Sequence, residues 1–351
     1  MKKYRVGIIG CGRIGSLLED DPLRGKPCTH AGAYDKHPAT EIVAGCDIDK
    51  KRLRAFKKRW KVKSLYEDYR EMLAKEDLDF VSIAAWTDLH CRMVIDSAKS
   101  GIKGIYCEKP ISLTLKEADS MLRFCRKYNT KLIINHERRW DTFYLKAKEL
   151  IEKGDIGEIR TIVGNALSDK PGKVKRDSFG GGALFHDGTH LTDLLRFFAG
   201  EAKWVIGYEE RSYGKKYIED TAFGMIHFKN GIHAAIEGGG VRKYFNFELD
   251  IQGSDGRILI GNDIRELYRA KTSKRFTGFT ELEKVDFPVT GKRDNPYVAG
   301  VHDLINAVEN GKESSSNGTD GRKALEIIMA IYKSAELGGI KVTLPLRGGQ
   351  N

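Results

Sequence analysis

Short apolar runs and helical periodicity alternate along the first 135 residues. The run that begins at Tyr4 and opens into Gly10, then Glu41–Cys46, Leu78–Ala85, Gly104–Pro110 and Lys131–Asn135, are rich in Val, Ile and Leu, as strands buried on both faces are. Between them Thr29–His37, Lys50–Trp60, Tyr66–Ala74, the stretch from Trp86 to Gly101, and Ser112–Tyr128 space their apolar residues as helices do. This β-α rhythm predicts an α/β Rossmann domain over residues 1–135, a doubly wound parallel sheet that binds its ligand at the carboxyl ends of the strands. After a helix over Phe143–Lys153 the period shortens to two. Ile159–Ala166, Trp204–Tyr213, Ala222–Phe228, Ile232–Gly238, Phe245–Gln252 and Arg257–Ile260 alternate, with turns such as Lys229-Asn230-Gly231 and Ser254-Asp255-Gly256 between several of them. Residues 136–351 therefore read as a second, α+β domain with a large, mainly antiparallel sheet. Ser314–Gly318 reads as a polar linker before a helix over 321–338, and Ile340–Leu344 as a last strand.

The first run ends in Gly10-x-Gly12-x-x-Gly15, with Arg13 and Ile14 inside the turn. Gly10 permits the tight turn, Gly12 lets main chain approach a pyrophosphate, and Gly15 lets the next helix pack closely while its N-terminus offers N–H donors. Asp47, closing the second strand, stands where a carboxylate accepts hydrogen bonds from an adenosine ribose. It lies 47 − 15 = 32 positions after Gly15, against about 20 in the usual pattern; the polar Pro/Gly segment Glu19–Pro27 accounts for the excess. Ile48 and Asp49 follow rather than a cation, which favours NAD over NADP. The alternative is that Asp47 caps the helix starting near Asp49. Trp86, Thr87, Asp88 and His90, at the end of the fourth strand, are placed to line a nicotinamide pocket; the alternative for Asp88 and His90 is that they simply cap or pack the helix.

Composition narrows the class without changing it. With 40% hydrophobic and 31% charged residues the chain suits two ordinary cores. The net charge of +11 is spread and interleaved with acids, and no nucleic-acid module accompanies it, so no nucleic-acid partner is expected. Six cysteines form no CxxC pair, no segment approaches a membrane span, and the short apolar run after Met-Lys-Lys lacks a signal peptide's flanks. A cytoplasmic protein with no membrane partner is expected.

Glu108-Lys109-Pro110 after the fifth strand completes a set. With the glycine turn, Asp47, Leu89-His90, Asn135–Trp140, Gly154–Gly157, Gly180–Gly182 with His190–Asp193, and Glu219-Asp220, it resembles the glucose-fructose oxidoreductase/inositol dehydrogenase (Gfo/Idh/MocA) family over nearly the whole chain. The resemblance implies an NAD(P)-dependent dehydrogenase or reductase that moves a hydride between nicotinamide and a hydroxyl-bearing carbon of a sugar, sugar derivative or cyclitol. It implies Glu108 and Lys109 beside the cofactor, Lys109 working on the hydroxyl, and His190 as its partner. Where the family carries an acid this chain has His186, with Asp187 one place later. His186, His190 and Asp193 fall at i, i+4 and i+7, one face of a continuous helix, where they could relay a proton or hold a metal; no metal is expected, since Lys109 already supplies a base. Arg138, Arg139 and Trp140 offer cations and an aromatic surface to a sugar ring, with a structural role for Arg139 as an equal alternative. Lys170, Lys173, Lys175 and Arg176 form a basic loop, either solvated or a clamp for an anionic substrate such as a uronate or nucleotide sugar. An exposed sheet face implies a homodimer or homotetramer. A retained-NAD cycle without net redox change and a non-catalytic nucleotide sensor are the alternative functions.

Overall fold

The computed structural model describes residues 3–169, 174–175, 180–288 and 294–346. They form two compact units, Met1–Trp140 with Arg293–Arg322, and Asp141–Lys292 with Lys323–Asn351.

In the first unit β1 (Tyr4–Ile9), β2 (Thr40–Cys46), β3 (Ser64–Tyr66), β4 (Phe80–Ile83), β5 (Gly104–Cys107) and β6 (Lys131–Ile134) make a sheet in the order β3-β2-β1-β4-β5-β6. Every pairing in it is parallel. The order reverses between β1 and β4, the switch point at which such sheets bind dinucleotides. All residues of β4 and β5 are buried, which explains their unbroken apolar character. Several helices of this unit start where short polar side chains accept main-chain N–H groups. Thr29, Asp49 and Asp68 each do so, and Thr114 forms a capping box with Glu117.

The helix after the glycine turn is split. Ser16 N–H donates to Gly12 O at 2.9 Å, completing a first turn; the chain then loops out and returns as helix His30–Lys36. His30 and Ala31 N–H donate to Ile14 O and Gly15 O, both at 3.0 Å. With the 12 residues Leu17–Cys28 set aside these are ordinary i→i−4 bonds, and the 32-residue spacing from Gly15 to Asp47 becomes 32 − 12 = 20.

Residues late in the chain also belong to this unit, so the boundary expected at 135/136 does not describe its extent. Helix Pro296–Asn310 places Val301, Leu304 and Ile305 in one buried cluster with Val6, Phe80, Tyr106 and Trp140. Ser314–Gly318 is not a solvated linker. Ser316 is fully buried, its hydroxyl donates to Ile134 O at 2.8 Å, its carbonyl accepts Ile134 N–H at 2.9 Å, and the following helix begins at Gly318.

In the second unit β7 (Ile159–Leu167), β8 (Ala202–Glu210), β9 (Thr221–Phe228), β10 (His233–Gly239), β11 (Asn246–Gly253), β12 (Gly256–Gly261), β13 (Arg265–Thr272), β14 (Thr280–Val285) and β15 (Val342–Thr343) form a mixed sheet among the described residues, in the order β14-β13-β12-β11-β7-β10-β9-β8-β15. Only the β7–β10 pairing in it is parallel. Helix Gly188–Ala199 buries most of its length, as its apolar character on several sides requires. Beyond the strands read from the pattern, β13 and β14 complete one end.

Candidate active site

The turn after β1 fits a dinucleotide. Gly10 has φ of 91°, and a Cβ there would lie 2.5 Å from Ala84 O. A Cβ on Gly15 would lie 1.9 Å from Gly10 O, so the chain can close this turn only with glycine. Over Gly12 a Cβ would meet nothing nearer than the end of Arg52 at 3.6 Å, which leaves the main chain open to a phosphate. Arg13 is exposed and Ile14 half-buried on the turn. Asp47 closes β2 with Oδ2 accepting Cys11 N–H and Oδ1 accepting Asp49 N–H, both at 2.9 Å. The cap of the next helix is Asp49, which accepts Lys51 and Arg52 N–H, so Asp47 is free of the capping role proposed as its alternative. Arg52, which the sequence pattern did not single out, brings a guanidinium nitrogen 3.8 Å from Asp47 Oδ1 and offsets the negative pair.

At the end of β4, Thr87 opens helix Thr87–Lys99 and Trp86 is 67% exposed. His90 is not. Fully buried, its Nδ1 lies 3.0 Å from Pro110 O and its Nε2 3.1 Å from Ala85 O, and burial pushes its pKa down. Instead of lining the pocket it ties the turn after β4 to the Glu108–Pro110 segment.

Glu108 also faces inward. Oε1 accepts from His30 Nε2 at 2.8 Å and from Asn135 Nδ2 at 2.5 Å, while Oε2 accepts the N–H of Lys109 at 3.1 Å. Burial alone would raise its pKa, but the bonds and charges of His30, with Lys109 and Asn135, bring it down to about 2. It is an anchor for the Lys109 main chain. Arg139 and Trp140 are buried as well, and neither serves as a sugar surface. Arg139 donates to Ser315 O at 2.7 Å and pairs with Asp320 at 3.5 Å; Trp140 donates to Asp303 at 2.8 Å and packs edge-on to Tyr106.

In the second unit, His186, Asp187 and His190 stand around a break. Helix Ala183–His186 stops, Asp187 turns, and Gly188–Ala199 begins, with His190 N–H donating to Asp187 O at 3.2 Å. The three positions 186, 190 and 193 are therefore not on one continuous helix as their spacing suggested. Among the described residues no three His, Cys, Asp or Glu side chains converge as a metal site requires. His186 and Asp187 are half-buried, with His186 edge-on to Phe185, and the buried His190 edge-on to Phe247. Glu219 fixes the start of this segment: Oε2 accepts Gly182 N–H and Oε1 accepts the Tyr332 hydroxyl, both at 2.7 Å. Burial raises the Glu219 pKa. Of the basic loop, Lys175 bridges to Tyr217, whereas Lys170, Lys173 and Arg176 lie outside the described residues.

Residues 4–136 match the oxidoreductase family's NAD-binding Rossmann fold, and residues 148–344 its C-terminal alpha/beta domain, both under the Gfo/Idh/MocA designation. The chain belongs to this family. It is an oxidoreductase whose first unit is an NAD-binding Rossmann domain. Myo-inositol 2-dehydrogenase of Thermotoga maritima is 28% identical over 338 residues, 95% of this chain and 96% of that one. D-apiose dehydrogenase of Paraburkholderia graminis is 25% identical over 96% of this chain and 89% of its own. Among solved structures, levoglucosan dehydrogenase in complex with NADH and L-sorbose shares the fold with a TM-score of 0.82 at 23% identity, covering 99% of this chain and 100% of its own.

The sequence pattern did not single out His30 and Ser82, which lie beneath Glu108, and it marked Glu219 only as a landmark beside Asp220. For His30 one signal exists: removing the looped-out segment sets it three places after Gly15 in a continuous helix.

Proposed function

We propose that this protein is an NAD-dependent dehydrogenase that oxidises, or in reverse regenerates, a hydroxyl-bearing carbon of a sugar, sugar derivative or cyclitol. The observation that carries this is Lys109, held by its main-chain N–H on a buried carboxylate, in the same unit as a glycine turn shaped for a pyrophosphate. NAD, when bound, would supply the hydride acceptor. Gly10, Gly12 and Gly15 would admit its phosphates, with Arg13 and Ile14 on the same turn, and Asp47 would accept hydrogen bonds from the adenosine ribose hydroxyls; Trp86 and Thr87 would border the nicotinamide end. The Lys109 amine takes the hydroxyl proton as the C–H bond breaks, and returns it in the reverse direction. In the second unit His190 is the candidate acid-base group of the family pattern, with His186 in the place of the family's acid and Asp187 as the alternative carboxylate. The names of the inositol and apiose dehydrogenases support a small neutral polyol before an anionic one, and net turnover before a retained-NAD cycle.

Asp47 supports NAD before NADP, although Arg52 moderates the negative charge that a 2′-phosphate meets. No helix among the described residues is long and apolar enough to cross a membrane, and we assign the protein to the cytoplasm. Tyr208, Phe223 and Met225 of β8 and β9 are each 44–55% exposed, and this apolar face supports a homodimer or homotetramer.

The test is a screen by NADH absorbance over neutral polyols, uronates and nucleotide sugars, with wild type and Lys109→Met in parallel. Wild type should turn over at least one class. Lys109→Met should lose about a hundredfold or more in kcat while its NAD affinity stays the same. Full turnover by Lys109→Met would move the base to another residue.

A further inference from the structure

Beneath Lys109 the first unit buries a chain of polar groups where apolar ones would pack. Ser82 of β4 pairs in register with Tyr106 of β5, and both are fully buried, as is His30. His30 Nδ1 lies 2.5 Å from Ser82 Oγ, and Nε2 reaches Glu108. The Tyr106 hydroxyl donates to Asn135 Oδ1 at 2.8 Å, which turns the Asn135 amide nitrogen toward the same carboxylate. An ionised carboxylate only accepts, so His30 carries its proton on Nε2, and the 3.4 Å approach of Asn135 Nδ2 to that nitrogen is a contact between two donors, not a bond.

Such a cluster is a poor source of stability. Well-packed apolar side chains of the same volume serve a core equally well or better, while one partner removed leaves a buried charge unpaired. What this cluster supplies is a single geometry. Oε1 is held by side chains from a helix and from the end of β6, which leaves Oε2 aimed at the N–H of Lys109. His30 comes into range because its helix resumes in register after the looped-out segment.

We propose that His30 is a positioning residue for hydride transfer: through Glu108 it fixes the main chain at Lys109, and with it the point from which the Lys109 amine works. The proposal rests on Lys109 being the proton-transfer group, but its main readout needs no substrate. A glutamine places its amide nitrogen near the site of histidine Nε2, and an asparagine near that of Nδ1. His30→Gln therefore keeps the donor to Glu108, and His30→Asn loses it.

The experiment compares the two variants with wild type by hydrogen exchange at the Lys109 amide, NAD affinity by calorimetry, and kcat on whichever substrate the screen identifies. In His30→Asn the Lys109 amide should exchange about tenfold or more faster, and kcat should fall by about tenfold to a hundredfold, with NAD affinity and KM within about twofold of wild type. His30→Gln should restore most of both. Ser82→Ala, which leaves both side-chain donors on Glu108, should change neither by more than about twofold. Should His30→Asn prove insoluble, Asn135→Ser removes the second donor on the same oxygen and is measured in its place, with the same expectation. Equal behaviour of the Asn and Gln variants, or an unchanged Lys109 amide in the variant that loses the donor, overturns the proposal. A faster amide with unchanged kcat leaves the anchor standing and overturns His30 as a positioning residue for hydride transfer, while Lys109→Met tests Lys109 itself.

Discussion

Glu108 keeps its charge in a buried place because three donors converge on two oxygens. The sign of the resulting pH dependence follows from that. Its folded pKa, about 2, lies below the ordinary 4.5, so it contributes stability above about pH 4.5 that is lost as the pH falls toward 2. Urea unfolding between pH 6 and 3 should show a downward slope that includes up to about 1.4 kcal/mol per pH unit from this one group, and Glu108→Gln should lack that part. An identical slope in the variant would mean that folding does not lower the Glu108 pKa. At this scale Gly10, Gly12, Gly15 and Asp47 were legible from sequence, because a strand end and a positive φ are local matters. Arg139 and Trp140 were not. Their partners Ser315, Asp320 and Asp303 lie more than 160 positions away, and only the folded chain shows that a cation and an indole are consumed inside the first unit.

The split helix is the element that departs most from its type. Its two parts are joined by i→i−4 bonds, while Leu17–Cys28 leaves and returns in register. The loop is held by its own contacts: Glu19 accepts Cys28 N–H and the Thr29 hydroxyl, both at 2.8 Å, and Trp60 donates to Ser16 at 2.8 Å. Deleting residues 17–28 should give one continuous helix once Thr29 gives up its extended capping conformation, with NAD affinity within about tenfold of wild type by calorimetry. An unfolded product by circular dichroism would show instead that the loop is needed to close the glycine turn. The sequence showed the interruption as Glu19–Pro27, but not that the whole of Leu17–Cys28 leaves the helix and lets the i→i−4 bonding resume across the gap. It also gave no sign of β13 and β14. Their exposed positions carry charge, and they are held by pairs such as Lys271–Glu283 at 2.6 Å and by pairing with β12, which alternation of apolar residues does not record. The break at Asp187 was hidden for a similar reason: Gly188 offers a breaker, yet the apolar period continues across it.

Over the whole molecule, the two sheets and their order of appearance were readable from the change of period, whereas the extent of each unit was not, because the chain crosses from one to the other after Trp140, near 292 and after Arg322. Neither unit is a contiguous piece of sequence. Burying Val301, Leu304 and Ile305 contributes roughly 1.5–3 kcal/mol each, which together approaches the whole margin of about 5–15 kcal/mol by which a domain is stable. The fragment Met1–Trp140 should therefore lack cooperative unfolding by calorimetry and should gain it when a peptide spanning 294–322 is added; a fragment that melts cooperatively alone would show that the late helix only decorates a finished core. During synthesis the same arrangement sets a waiting time. Between Trp140 and Arg293 a ribosome adds 293 − 140 = 153 residues, which at about 5–20 residues per second takes roughly 8–30 s. For that interval the nascent nucleotide-binding sheet carries an uncovered apolar flank, a natural target for chaperones that hold chains as they emerge.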